Sequence, residues 1–388
     1  MASALVLNTD DFLKEVVLLA NSAWYLKNFR SSTIEALLCQ KYAVRCIVPD
    51  SADRQSIRAL REIGAKVECF RFSPTSVSLF SGAVSLLSLT RLLLRQRPSL
   101  VFSFNPKSNL YSAIVCCLLR IAYVPNISGM GTADQLAGIK GWLYQLMMGV
   151  FLRRARWTFF QNTENMKAVI ERGWVNAERC TLLPGSGVEL ERFTPPDGIT
   201  PKSERVFLMA SRLLKQKGVQ EYLMAAERLT EDSSLNVRCL LAGEFDDSGR
   251  CISRQSLAAF AELDGCEYLG HVDDMPALLR QADCVVLPSY YPEGVPRVLI
   301  EAIACGRPVI TTEQPGCREV VEEGFNGYRI EPRSVDALFE AMQTFLSLSA
   351  SQVKEMGQHS RRIAESRFDI NTVIDAYLQA AARFSARP

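Results

Sequence analysis

Glu293 and Glu301 stand eight positions apart in the run PSYYPEGVPRVLIEAIACGRPVITTEQPGCREVVEEGFNGYRIEP, Pro288 to Pro332, with Gly294 and Val295 directly after the first acid and Pro296 close behind. Across a helix start that spacing puts one carboxylate on the entry loop and the other on the second turn, so both can face one ligand. Two such groups can grip hydroxyls at the two ends of a molecule, a sugar at one and a ribose at the other. Glu301 falls within an apolar helix expected over Arg297 to Cys305, and a carboxylate among Ile300, Ala302 and Ile303 needs a partner. Otherwise the pair is structural, one acid favoured by the helix dipole and one solvated.

A second cluster follows the apolar run Val206 to Ala210: Ser211, Arg212, Lys215, Lys217 and Gly218. Cations at a strand's carboxyl end, beside a helix N-terminus, suit a diphosphate. A solvated turn with surface lysines is the bland alternative. Gly129, Gly131 and Asp134 follow the strand ending at Ile127, but the third glycine of a dinucleotide fingerprint is missing. Such a loop can still bring backbone amides up to a ligand. With only His271 and His359, no D-x-D pair and no phosphate-binding G-x-x-x-x-G-K-[ST], neither a metal site nor a Ser-His-Asp triad is expected.

These residues must be held by alternating strands and helices. Short apolar runs at Val16–Ala20, Ala43–Val48, Lys66–Phe70, Leu100–Phe104, Val124–Ile127, Thr158–Gln161 and Thr181–Leu183 alternate with crossover-length segments, a helix over Ser31–Lys41 among them. After the proline-rich stretch TPPDGITPK, Thr194 to Lys202, the pattern restarts. Strands are expected at Val206–Ala210, Val237–Ala242, Cys266–Leu269, Cys284–Leu287 and Val309–Thr311, with helices at Gln220–Leu229 and Met275–Gln281. The fold class is α/β, two doubly wound parallel sheets, over 1–198 and 199–369, with a helix at about 370–388 packing back on the first.

The chain has 388 residues, 48% hydrophobic and 22% charged, with net charge +2, so two ordinary globular domains fit and nucleic acid is not an expected partner. Twelve cysteines without a C-x-x-C, and a start lacking the basic segment and cleavage site of a signal peptide, point to a reduced, cytoplasmic setting. The uncharged stretch Phe72 to Thr90 is broken by Pro74 and by serines, and is not expected to span a membrane. LLSLTRLLLRQR, Leu86 to Arg97, and WLYQLMMGVFLRRAR, Trp142 to Arg156, are either basic amphipathic helices for an anionic bilayer or core faces packed on a sheet.

On these residues the chain resembles the retaining GT-B glycosyltransferases of family 4. PEGVPRVLIEA looks like their E-x7-E signature and SRLLKQKG like their diphosphate loop, a match that is strong over Val206 to Pro332 and followable back to Val16. ANSAWYLKNFR, FNPKSNLYSA, ISGMGTAD and LLPGSGVELERF are similar to a branch that adds N-acetylhexosamines or related sugars to polyprenyl-diphosphate-linked acceptors. The resemblance implies two Rossmann-like domains facing each other across a cleft, a UDP-sugar donor and no metal or other cofactor. It further implies a cytoplasmic enzyme peripheral to the inner membrane face, in surface polysaccharide assembly such as that of O-antigen.

Carried over by position, Arg212 and Lys217 would hold the donor diphosphate and stabilise it as leaving group, with Glu293 the third catalytic candidate. Glu301 would bind the ribose, and Glu293 with the amides of Gly294 and Val295 the sugar hydroxyls. Gly243, Gly270, His271 and Val272 would lie near the base, read by backbone, and Arg318 near the sugar or acceptor. Asn28, Arg30, Lys107, Asn109 and Gly131 would line the acceptor side. Many relatives carry a glycine pair in the first loop and a first-domain histidine. This chain has neither, so the resemblance assigns no general acid or base. An epimerase or hydrolase on the same fold, or a non-catalytic sugar-nucleotide-binding protein, are the alternatives.

Overall fold

The computed structural model describes residues 14–51, 53–72, 79–129, 138–196, 204–232, 235–246, 249–292 and 294–385. Glu293 and Gly131 lie outside the described residues, as does much of the proline-rich stretch. The chain divides into two compact units, Met1–Leu183 with Asn371–Pro388, and Pro184–Ile370. The change of unit thus comes earlier than residue 198. Val188 bridges Asp369 and Phe193 is fully buried in the second core, so residues 184–193 belong there.

In the first unit, β1 (Lys14–Leu19), β2 (Tyr42–Pro49), β3 (Lys66–Phe70), β4 (Leu100–Phe104), β5 (Ala122–Ile127), β6 (Thr158–Phe160) and β7 (Cys180–Leu182) form one sheet. Its order is β3-β2-β1-β4-β5-β6-β7 and every pairing is parallel. β1 shows why its run is continuously apolar. Val16 and Leu18 enter one core cluster while Val17 and Leu19 enter another, so both faces of the strand are covered. The helices are α1 (Ala23–Cys39), α2 (Arg54–Glu62), α3 (Leu79–Gln96), α4 (Pro106–Leu119), α5 (Gly138–Leu152) and α6 (Thr163–Glu171).

α1 starts eight residues before Ser31, because Ser22 accepts from the Tyr25 N–H at 3.1 Å and caps a first stretch whose lysine, asparagine and arginine hide its period. Most of NSAWYLKNFR is therefore helix rather than loop.

The second unit repeats the plan with β8 (Arg205–Ala210), β9 (Val237–Ala242), β10 (Cys266–Gly270), β11 (Cys284–Leu287), β12 (Val309–Thr312) and β13 (Gly327–Ile330). Its order, β10-β9-β8-β11-β12-β13, is again all parallel, and β13 joins an edge the sequence reading stopped short of. Its helices are α7 (Val219–Thr230), α8 (Arg254–Ala261), α9 (Met275–Gln281), α10 (Arg297–Ala304), α11 (Val335–Leu346) and α12 (Ala350–Arg367). The last helix, α13 (Ile370–Phe384), leaves the second unit and sends Val373, Tyr377, Ala380 and Ala381 into a core of the first. None of the twelve cysteines is in a disulfide.

Candidate functional site

In each sheet the strand order reverses at one point, between β1 and β4 in the first unit and between β8 and β11 in the second. Loops leaving the carboxyl ends of such a strand pair part to opposite faces and leave a crevice that ligands occupy. In the second unit the loop after β8 carries Arg212 and Lys217, and the loop after β11 runs from Pro288 through Gly294 and Val295 to α10.

These two loops are tied together. The Tyr290 N–H donates to the Gln216 carbonyl at 2.9 Å, and a Cβ at Gly218 would sit 2.2 Å from the Pro288 carbonyl oxygen. Gly218 has φ +78°, so only glycine suits both the backbone and this approach. Lys217, on a single 3-10 turn, is only 8% exposed, with its ammonium 5.4 Å from the centre of the Tyr291 ring. A third loop braces the first. The Leu213 N–H donates to the Glu244 carbonyl, the Lys215 N–H to that of Arg250, and the Ile252 N–H to that of Leu213. Arg212 is half exposed and its Nη1 meets Asp246 at 3.2 Å.

Helix starts distinguish this place. α8, α9, α11 and α12 each have a serine or aspartate side chain accepting from a first-turn N–H. α7 and α10, the two helices that open on the crevice, have no side-chain cap. The amides of an uncapped helix start attract anions through their unsatisfied donors and the helix dipole.

Glu301 lies on the second turn of α10 and is 9% exposed. The sequence reading leaves its partner to a ligand; the structure supplies Arg297, one turn earlier, whose Nε donates to Oε1 at 2.6 Å. Burial pushes the Glu301 carboxyl above its ordinary pKa, and Arg297 opposes that shift. Gly243 directly follows β9 with φ +141°, and a Cβ there would lie 1.8 Å from the Ser211 carbonyl oxygen. The Tyr268 hydroxyl donates to the Gly243 carbonyl at 2.8 Å. Gly270, with φ +65°, ends β10, Val272 follows it, and the exposed His271 stands between Glu244 at 3.4 Å and Asp273 at 3.3 Å. Arg318 opens a 3-10 turn after β12. Among the described residues no group of three His, Cys, Asp or Glu could hold a metal ion.

Of the acceptor-side candidates, Asn28 and Arg30 lie on α1 and Lys107 and Asn109 on α4, the helices that leave the first unit's reversal point. Asn105, with φ +70°, precedes α4, and its Oδ1 accepts from the Asn21 N–H across β1 and β4 at 3.3 Å. Lys107 projects over the Phe72 and Tyr111 rings, and desolvation lowers its pKa. Asn28 lies on α1, its Nδ2 donating to the Trp24 carbonyl at 2.9 Å. Arg30 and Asn109 are not brought to an open surface. Arg30 is 1% exposed among the rings of Tyr25, Phe104 and Tyr377, and buried Asn109 donates to the Asn126 carbonyl at 2.8 Å. Asp246, Tyr291 and Asn105 escaped the sequence reading. Arg297 was legible, four residues before an acid on one helix face.

Two reversal points, a cationic loop and uncapped helix starts thus sit on a chain of two Rossmann-like units. Residues 192–363 match the family described as "Glycosyl transferases group 1", and residues 29–185 the "Glycosyl transferase 4-like domain". The two models together span most of the chain, which is a glycosyltransferase of GT-B fold, and its relatives include a capsular polysaccharide biosynthesis glycosyltransferase of Staphylococcus aureus. It is 25% identical over 373 residues to the N,N'-diacetylbacillosaminyl-diphospho-undecaprenol alpha-1,3-N-acetylgalactosaminyltransferase of Campylobacter jejuni, covering 90% of this chain and 96% of that one. It is 24% identical over 290 residues to the UDP-Gal:alpha-D-GlcNAc-diphosphoundecaprenol alpha-1,3-galactosyltransferase of Escherichia coli, covering 70% of this chain and 73% of that one. Anabaena HepE in complex with UDP-glucose superposes with a TM-score of 0.77 at 18% identity, covering 95% of this chain and 99% of that chain, a likeness of fold.

Proposed function

We propose that this glycosyltransferase moves an N-acetylhexosamine from a UDP-sugar, with retention and without a metal, onto a polyprenyl-diphosphate-linked glycan at the cytoplasmic membrane face. The observation that carries the reading is the second unit's reversal point, where Arg212, Lys217 and the uncapped starts of α7 and α10 converge. Cations and helix amides together neutralise a diphosphate, which is the charge that grows as the sugar departs. With those groups present the chemistry needs no metal counter-charge. Glu301, beside Arg297, serves the ribose hydroxyls; Glu293 and the amides of Gly294 and Val295 serve the sugar; the 270–272 backbone serves the base.

Both named relatives form α-1,3 linkages on diphospho-undecaprenol-linked sugars, and an α linkage made from an α-linked donor is retention. In this reading the leaving phosphate oxygen, rather than an assigned side chain, takes the acceptor hydroxyl's proton. A membrane-linked acceptor also gives a purpose to the first unit's surface. Leu87, Leu94, Trp142, Leu143, Leu146 and Val150 are exposed, beside exposed Arg91, Arg95 and Arg154. Among the described residues no helix is long and apolar enough to cross a membrane.

Thermal-shift titration against UDP-, GDP- and ADP-sugars tests the donor. A UDP-sugar at a hundred times its Kd should stabilise the protein by about 2.7 kcal/mol. Stabilisation by another nucleotide alone would overturn the donor assignment. Donor turnover without a lipid-linked acceptor would point to a hydrolase or epimerase, and EDTA-sensitive transfer would refute metal independence.

A further inference from the structure

Arg212 carries an observation that the diphosphate reading does not use. Its Nη1 meets Asp246 Oδ2 at 3.2 Å, with the arginine side chain 54% exposed and the aspartate 24%. The carboxylate is the better-anchored partner. Asp246 follows β9, its N–H donates to Cys251 Sγ at 3.3 Å, and the Cys251 thiol reaches Oδ1 at 3.5 Å. Cys251 is in turn bridged to Leu214, on the loop that carries Arg212. Asp246 is thus a carboxylate fixed to the diphosphate loop, within reach of an exposed cation of that loop.

A carboxylate and a phosphate oxygen present the same acceptor chemistry to a guanidinium. An exposed single-contact ion pair is weak enough to exchange. We propose that Asp246 is a positioning residue that holds Arg212 in the donor-free protein and yields it to the donor diphosphate. It thereby competes with the diphosphate and hastens release of the nucleoside diphosphate product. The proposal rests on Arg212 being a diphosphate ligand. It adds that the residue facing it sets how tightly the product is kept.

The test is calorimetric titration of UDP and uridine into the full chain and into Asp246→Asn, Arg212→Ala and the double variant, with UDP dissociation followed by stopped flow. Asparagine keeps the size of the side chain and its contact with Cys251 while removing the charge. Asp246→Asn should bind UDP about two- to fivefold tighter, with dissociation slowed by the same factor and uridine unchanged. In the Arg212→Ala background the same substitution should add nothing. Unchanged or weaker UDP binding by Asp246→Asn overturns the proposal. An equal gain in the Arg212→Ala background also overturns it, because the effect would then be general repulsion rather than competition for Arg212. If Arg212→Ala binds UDP as tightly as the parent, the diphosphate reading of Arg212 fails and the proposal falls with it.

Discussion

Lys217 and Glu301 are the residues on which the donor reading weighs most. The Lys217 ammonium is nearly buried over Tyr291, so its charge is poorly screened by water and effective on a nearby anion. Losing one charge-assisted contact to the leaving diphosphate costs about 1.5–3 kcal/mol, so Lys217→Ala should lower the transfer rate by roughly tenfold or more. Lys217→Met keeps the packing and should lose as much; near-parental turnover in either variant refutes the assignment. Glu301 gives a pH signature. Burial raises its carboxyl pKa against Arg297 and Arg192, with Glu189 reinforcing the rise. A carboxyl raised on folding contributes stability that is fully present below its unfolded pKa and lost as pH rises through the folded one. The melting temperature of the parent minus that of Glu301→Gln should therefore grow as pH falls through this window. A difference independent of pH would show that the acid is not perturbed.

At the scale of elements, the loop braces and the outer helices make separate demands. Gly243, directly after β9, packs against the diphosphate loop with a positive φ and no room for a Cβ, whereas Gly270 has a positive φ and open space. Gly270→Ala should cost about 1 kcal/mol from backbone strain alone. Gly243→Ala should cost well over that and should weaken UDP binding, because the Ser211 carbonyl must move. Equal melting losses for the two would contradict this account. α3 carries both a core face and an outward-facing stripe. Leu89 and Leu93 are fully buried against the sheet, while Leu87, Arg91, Leu94 and Arg95 face outward. If that outer stripe meets anionic lipid, Arg91, Arg95 and Arg97 changed together to Glu should reduce sedimentation with anionic liposomes and leave the melting temperature nearly unchanged. Unaltered sedimentation would sink the membrane assignment.

At the scale of the molecule, the chain's last helix completes the unit its first strand began. Tyr377 is fully buried against the rings of Phe102, Phe104 and Phe159, faces the Arg30 guanidinium and accepts from Asn126 Nδ2 at 2.6 Å. Tyr377→Ala should destabilise the first unit by about 3–5 kcal/mol. UDP should still protect the second unit; loss of that protection would mean the units do not fold as separate bodies. Much of this plan was legible in the sequence. Parallel strands buried on both faces read as continuous apolar runs, so Leu100–Phe104, Val237–Ala242 and Cys284–Leu287 coincide with the observed strands. The runs also placed the cationic loop after a strand, and glycine and proline marked the ends of α10. What the sequence alone determined is therefore local: periodicity, turn chemistry and residue types next to strand ends. Only the tertiary structure decided which strand ends adjoin, that Asp246 faces Arg212, and that Arg30 is sealed under α13. Those are contacts between residues up to hundreds of positions apart, and they exist only once burial on both faces of each sheet has fixed the strand order.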